Sequence, residues 1–170
     1  RLSARMARIS RRDPVTGLAN RRSLEQAVAN AIARAERGLG IPSVVVVALD
    51  GFESVAGSLG HATGDAVLRS VAERLTRTAR SVDTVARLGG NEFAVVLEST
   101  GGPGATAALG RLRDSLADGW AEVVGGPSAV AAVSASLGMA TYRPGDGVAS
   151  LLARADAETY ADPARRSAGA

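Results

Sequence analysis

An unbroken apolar run at residues 44–49 constrains the fold of this 170-residue chain more than any other feature. The run reads VVVVAL and is followed at once by Asp50. An apolar stretch without polar alternation is typical of a central strand that is buried on both faces. Such a strand needs helices packed on its sheet. A chain of this length can form one compact domain with its own core.

The spacing of apolar residues in the rest of the chain predicts the helices and strands that pack with that strand. Apolar residues at three- and four-residue spacing predict helices over residues 21–37, 66–80, 105–116 and 148–160. Further strands are predicted over residues 84–88 and 92–97 and within 130–142. Gly89, Gly90 and Asn91 join two of them and have the residue types of a hairpin turn. The predicted fold class is α/β (α+β), with a central mixed sheet flanked by helices and carrying this hairpin.

The N-terminal residues 1–12 are interpreted separately from the domain. They carry five arginines, and Leu2, Met6 and Ile9 have helical spacing. Asp13-Pro14 then ends the helical pattern, because proline disfavours helical geometry at the preceding residue. Residues 1–12 are predicted to be either the end of a connecting helix from an upstream region or a solvated tail.

Composition excludes several classes of protein. The chain has no cysteine, so disulfides and thiolate metal sites are excluded and a reducing, cytoplasmic location is expected. No apolar run could span a bilayer, so we expect no membrane contact from these residues, although the whole protein could be tethered elsewhere. A net charge of +3 and a 3% aromatic content disfavour nucleic acid as a partner, because single-strand readers need exposed rings.

Four separated stretches resemble motifs of one family. They are DPVTGLANR at residues 13–21, LGHATGD at 59–65, RLGGNEF at 87–93 and VSASLGMA at 133–140. Their order and spacing are similar to those of the GGDEF domain, the diguanylate cyclase module of bacterial cyclic-di-GMP signalling. The resemblance implies a fold like the nucleotidyl-cyclase palm, and residues 13–170 are interpreted as one degenerate GGDEF domain.

The resemblance also implies where catalysis would take place. Family members join two GTP molecules with the help of two divalent cations, which favour carboxylate ligands. The metal-binding acids of the family align with Ala48 and Asn91, and the GTP contacts align with Glu53, Ala56 and Pro163. We therefore expect a lost Mg²⁺ site, no cofactor, no catalytic residue and no enzyme activity. The expected remnants of the active site are Asp50, Asp65, Gly89, Gly90, Asn91 and Glu92.

A second motif, Arg80-Ser81-Val82-Asp83, resembles the RxxD inhibitory site of the family. There, an arginine and an aspartate bind cyclic-di-GMP, and a second arginine on the next helix often joins them. The matching residues here are Arg80, Asp83 and Arg111. A guanidinium can donate two parallel hydrogen bonds to a guanine or a phosphate, which is the chemistry that the assignment requires. The competing interpretation is a solvated helix end.

These observations lead to one main hypothesis and two alternatives. The main hypothesis is a catalytically inactive GGDEF domain that regulates or binds cyclic-di-GMP through the RxxD-type site. One alternative is a residual diguanylate cyclase that converts two GTP to cyclic-di-GMP. The other is a nucleotide-free dimerisation or scaffold domain of a larger GGDEF–EAL protein. The partners that the resemblance implies are an upstream sensor or helix, a downstream EAL domain and a second copy of the chain.

Overall fold

The computed structural model describes residues 10–125 and 133–163 of the chain. Within them, six helices and four strands follow one another in the order α1, β1, α2, α3, β2, β3, α4, α5, β4, α6. The bounds are α1 Arg21–Glu36, β1 Ser43–Asp50, α2 Phe52–Leu59, α3 His61–Thr78, β2 Thr84–Gly89, β3 Glu92–Leu97, α4 Gly101–Ala117, α5 Trp120–Val124, β4 Ser134–Thr141 and α6 Val148–Ala161.

The apolar run forms β1, which lies inside a four-stranded sheet of order β2-β3-β1-β4. The predicted fold class, a sheet flanked by helices and carrying a hairpin, is confirmed. The named strands all pair antiparallel, however, where a mixed sheet was predicted. The reason is that β2 runs parallel to β1, but the hairpin inserts β3 between them. Parallel pairing in the described residues is limited to the single bridge between Ala19 and Ala86.

Alternate residues of β1 pack into two separate cores, because successive side chains point to opposite faces of the sheet. Val45, Val47 and Leu49 pack in the core that also contains residues of α3, α4 and α5. Val44 and Val46 pack in the core that contains residues of α1 and α6. The run is therefore buried on both faces, as predicted, and its carboxyl end carries Asp50 out of the core.

Two helical segments were not predicted. Helix α2 begins directly after Gly51, whose φ of +77° turns the chain sharply away from β1. Helix α4 begins at Gly101, four residues before the helix predicted over residues 105–116. Pro103 fits there because a first-turn residue has no intrahelical partner for an N–H group. Helix α3 begins at His61, earlier than the predicted residue 66, so Asp65 lies inside this helix rather than just before it.

The lead segment, residues 10–20, is a tight turn held against strand β2. Asp13 accepts hydrogen bonds from the backbone N–H and the hydroxyl of Thr16, both at 2.8 Å. The N–H of Arg87 on β2 donates to the carbonyl of Ala19 at 2.9 Å. The lead segment thus pairs with the edge strand β2, through the single bridge between Ala19 and Ala86.

The predicted connecting helix does not extend through residues 10–12. Arg12 forms an antiparallel bridge to Ala19, and the carbonyl of Arg11 accepts from the N–H of Asn20 at 3.0 Å. These bonds across the turn fold the residues back onto the lead segment. Residues 1–9 lie outside the described residues, and for them the helix stays a prediction. The helices of the described residues fall short of the length and hydrophobicity that a membrane crossing requires.

Asp13→Asn should lower the free energy of unfolding in a pH-dependent way. The Asp13 carboxylate lies 3.0 Å from Arg87 Nη1, and the two side chains are 12% and 13% exposed. Burial raises the pKa of Asp13, but the Thr16 hydrogen bonds and the Arg87 charge outweigh burial and lower it below its ordinary value. The stabilisation is therefore complete above the unfolded-state pKa of about 3.9 and is lost as the pH falls through the lower folded-state pKa.

Urea unfolding at pH 7 and near pH 3 measures this effect. We expect Asp13→Asn to cost about 1–3 kcal/mol at neutral pH, and the gap to the unchanged chain to narrow in acid. Asp114→Asn, an exposed aspartate on α4, serves as the matched control and should change little. An equal cost of Asp13→Asn at both pH values would contradict this account.

Candidate functional site

The signature hairpin turns at Gly90 and Asn91. Gly89 has φ +129° and Gly90 has φ +50°, conformations that favour glycine because it has no Cβ. Arg87 holds the turn by donating to the Gly90 carbonyl from Nε at 3.2 Å and Nη2 at 2.9 Å. Its Nη1 reaches Asp13, so one guanidinium ties the lead segment to the hairpin. The role predicted for the two glycines is supported by this backbone geometry.

Three of the predicted active-site remnants meet at the end of β1. Asn91 Nδ2 donates to the Leu49 carbonyl at 2.6 Å, and the Leu49 N–H donates back to the Asn91 carbonyl at 3.0 Å. The Asp50 carboxylate accepts from the Ser136 hydroxyl at 2.5 Å. Glu92 lies opposite Ala48 in the β1–β3 register. Asp50, Asn91 and Glu92 therefore share one end of the sheet.

Asp65 lies on a helix, whereas those three residues lie on β1, on β3 and in the hairpin turn. It is on the second turn of α3, and its carboxylate is 4.0 Å from Arg69 Nη2 on the same helix. Helices α2 and α3 approach closely here, since a Cβ built on Gly64 would lie 3.1 Å from the Ala56 side chain. This close packing fixes Asp65 beside the short helix α2.

The two positions that the resemblance assigns to metal-binding acids carry no carboxylate, while the carboxylates of Asp50 and Glu92 lie at the same end of the sheet. Ala48 offers only a methyl group, and the neutral Asn91 amide is engaged with Leu49. Mg²⁺ prefers several hard oxygen ligands, chiefly carboxylates. Across residues 10–125 and 133–163, no three acidic or histidine side chains gather as they would around a metal ion.

The second predicted site lies at the turn between α3 and β2. The Asp83 carboxylate accepts from the N–H of Arg80 at 2.9 Å, from Arg80 Nη2 at 3.2 Å and from the N–H of Glu98 at 3.1 Å. The Asp83 side chain is 2% exposed, whereas the Arg80 side chain is 48% exposed. Asp83 therefore fixes the turn and orients Arg80, and it is Arg80 that meets the solvent.

An open cleft of about 740 Å³ lies beside this turn. Arg80 and Asp83 line it together with Arg11 and Arg12 of the lead segment. Apolar residues line it as well, namely Leu18, Ala19, Ala79 and Val85. Three arginines against one aspartate leave two positive charges, so the cleft favours an anionic ligand with an apolar body.

The structure groups the predicted ligand-binding residues differently from the sequence. Arg111 is exposed on α4 and is not among the residues that line the cleft. Arg11 and Arg12 do line it, although the sequence predicted for them either a connecting helix or a solvated tail. The density of arginine in residues 1–12 was the available signal. Only the fold of the lead segment shows that two of them line a cleft beside β2.

Comparison with known proteins agrees with the fold and the motifs. Residues 10–167 match the family model described as "Diguanylate cyclase, GGDEF domain". The diguanylate cyclase DgcP of Pseudomonas aeruginosa is 32% identical over 148 residues, which cover 87% of this chain and 22% of DgcP. The chain thus spans about a fifth of that curated relative.

Two solved structures extend the comparison. The structure of the diguanylate cyclase SiaD of Pseudomonas aeruginosa, in complex with its activator SiaC, has a TM-score of 0.81 and 34% identity, and the match covers 98% of this chain and 61% of that one. The GGDEF domain of DgcB from Caulobacter crescentus, in complex with c-di-GMP, has a TM-score of 0.76 and 30% identity, with coverage of 89% and 86%.

These comparisons overturn one prediction and establish the family. We predicted that the chain is not an enzyme, and this is wrong: the matching family is described as a diguanylate cyclase and DgcP is named as one, which points to an enzyme. The prediction treated Ala48 and Asn91 as decisive, although the carboxylates of Asp50 and Glu92 remain at the same end of the sheet. The resemblance itself is confirmed: this chain belongs to the GGDEF domain family, the family of the diguanylate cyclases.

Proposed function

We propose that this domain acts in cyclic-di-GMP signalling by binding cyclic-di-GMP in the cleft beside Arg80. The observation that carries the proposal is the cleft itself, in which Arg80, oriented by a buried Asp83, faces a space of about 740 Å³. The related GGDEF domain of DgcB was solved in complex with the same dinucleotide, which supports the ligand class.

The chemistry of the cleft suits a cyclic dinucleotide. Arginine binds phosphate and the edge of guanine through paired N–H donors. The two phosphates of the ligand match the surplus of two positive charges, and the purines can lie against the apolar wall formed by Leu18, Ala79 and Val85. Asp83 supports binding indirectly, because its carboxylate is already occupied by Arg80 and by the Glu98 N–H.

A thermal unfolding series tests whether binding is selective. At a ligand concentration of 100 Kd, binding should stabilise the fold by about 2.7 kcal/mol, which corresponds to a rise in Tm of roughly 5–10 °C. We expect that rise with cyclic-di-GMP and not with twice the concentration of GMP, which supplies the same groups without the cyclic linkage. An equal rise with GMP would contradict a site built for the dinucleotide.

A second candidate function is the synthesis of cyclic-di-GMP from two GTP, and the family and the name of DgcP favour it. In that reaction each 3′-hydroxyl attacks the α-phosphate of the other GTP, and two pyrophosphates leave. Chromatography of GTP incubated with this chain and Mg²⁺ or Mn²⁺ tests it directly. Product above the protein-free control, lowered by Asp50→Asn, would establish synthesis. A chromatogram identical to the control would leave binding as the function.

A further inference from the structure

We infer that Arg11 and Arg12 form the second half of the cyclic-di-GMP site, so that the bound dinucleotide clamps the lead segment onto strand β2. This inference rests on the proposed function and deepens it. The cleft draws its positive charge from two elements: Arg80 belongs to the α3–β2 turn, whereas Arg11 and Arg12 belong to the lead segment. A ligand with two phosphates can therefore be held by both elements at once.

The backbone of the lead segment is already placed for this role. The Arg11 carbonyl accepts from the Ser23 hydroxyl at 2.8 Å and from the Asn20 N–H at 3.0 Å. Arg12 Nη1 donates to the Gly17 carbonyl at 2.7 Å. Both residues are exposed and both line the cleft. The Arg12 guanidinium is thus held near the ligand space by one of its five N–H donors and keeps the others for a ligand, whereas Arg11 is held there by its backbone.

The backbone pairing of the lead segment with the sheet is limited, and the Asp13–Arg87 ion pair adds a side-chain tie. The lead segment pairs with β2 through the single bridge between Ala19 and Ala86, next to which the Arg87 N–H donates to Ala19 at 2.9 Å. A ligand that contacts both elements binds only the docked arrangement and shifts the equilibrium towards it. Occupancy of the cleft is thereby coupled to the position of the lead segment.

Calorimetric titration of cyclic-di-GMP into variants of this chain tests the inference. Arg11→Ala and Arg12→Gln should each weaken binding by about 10-fold or more, the scale of one lost charged hydrogen bond. Gln at position 12 keeps a donor for the Gly17 carbonyl, so the turn is preserved while the charge is removed. Arg37→Ala is the matched control, because Arg37 is exposed just after α1 and lines neither this cleft nor the cavity beside Arg11. It should bind as the unchanged chain does.

Hydrogen exchange supplies a second readout that does not depend on any variant. Cyclic-di-GMP should slow exchange of the Arg87 and Asn20 amides, whose bonds hold the lead segment in place. If Arg80→Ala weakens binding while Arg11→Ala and Arg12→Gln bind normally, this inference fails and the proposed function stands. Unchanged exchange at Arg87 in the saturated protein would also overturn it. If the unchanged chain does not bind cyclic-di-GMP, the proposed function fails and this inference fails with it.

Discussion

Gly138→Ala is expected to destabilise the domain by about 3 kcal/mol or more, because the sheet and helix α6 touch backbone to backbone at this glycine. A Cβ at position 138 would lie 2.5 Å from the Thr159 nitrogen and 2.8 Å from the Glu158 carbonyl carbon, and closer still to the Ala155 carbonyl oxygen. These are main-chain atoms of α6, so no side chain can rotate away. Relief requires the helix to move off β4.

Gly110→Ala is the matched control for this substitution. Gly110 lies in the interior of α4, and a Cβ built there meets nothing within 4 Å. Alanine should raise the stability by about 0.5–1 kcal/mol there, because glycine is the weaker helix former. Urea unfolding of both variants should therefore give effects of opposite sign. A cost below about 1 kcal/mol for Gly138→Ala would contradict the packing of α6 on β4.

Asp162→Ala is expected to lower the free energy of unfolding by about 2–4 kcal/mol. The reason is that Asp162 accepts a hydrogen bond from a backbone N–H of the edge strand β4. Its carboxylate accepts from the buried N–H of Leu137 at 2.7 Å and lies 3.2 Å from Arg113 Nη2. The Asp162 side chain is only 2% exposed. Alanine would leave the Leu137 N–H buried without this acceptor.

Two further substitutions separate the hydrogen bond from the ion pair. Asp162→Asn retains an oxygen acceptor for Leu137 and should recover more than half of the loss. Arg113→Ala removes only the partner charge, and since that arginine is 45% exposed it should cost less than about 1 kcal/mol. Chemical unfolding of the three variants gives the ranking. A larger loss from Arg113→Ala than from Asp162→Ala would show that the ion pair dominates.

The elements that the sequence predicted correctly are those with a local physical cause. The apolar run becomes β1, and the hairpin turns at Gly90 because glycine accepts positive φ. Helix α2 was not predicted because tertiary packing, rather than a local sequence pattern, stabilises it. Only Val55 of α2 is buried, and the helix packs on α3 near Gly64. The mixed sheet was predicted because strand order does not follow from local pattern.

The candidate site shows the same division. The spacing of Arg80 and Asp83 follows from the turn they form, so the motif was visible in the sequence and both residues line one cleft. The contribution of Arg11 and Arg12 depends on the lead segment folding back against β2 over about 70 residues of sequence separation. That contact is long-range, and arginine spacing alone could not reveal it. Arg111, which the family resemblance also named, does not line the cleft, and its role in binding stays a prediction.

The most direct test of the central claim is calorimetric titration of cyclic-di-GMP into this chain and into Arg80→Ala under identical conditions. Arg80 Nη2 also donates to the Glu98 carbonyl at 2.6 Å, so circular dichroism must first show that the variant is folded. Arg37→Ala, an exposed arginine outside the lining of the cleft, serves as the charge-matched control. We predict saturable binding that Arg80→Ala weakens by about 1.5–3 kcal/mol and Arg37→Ala leaves unchanged. No heat from the unchanged chain at high micromolar ligand, or equal affinity in folded Arg80→Ala, would contradict the assignment.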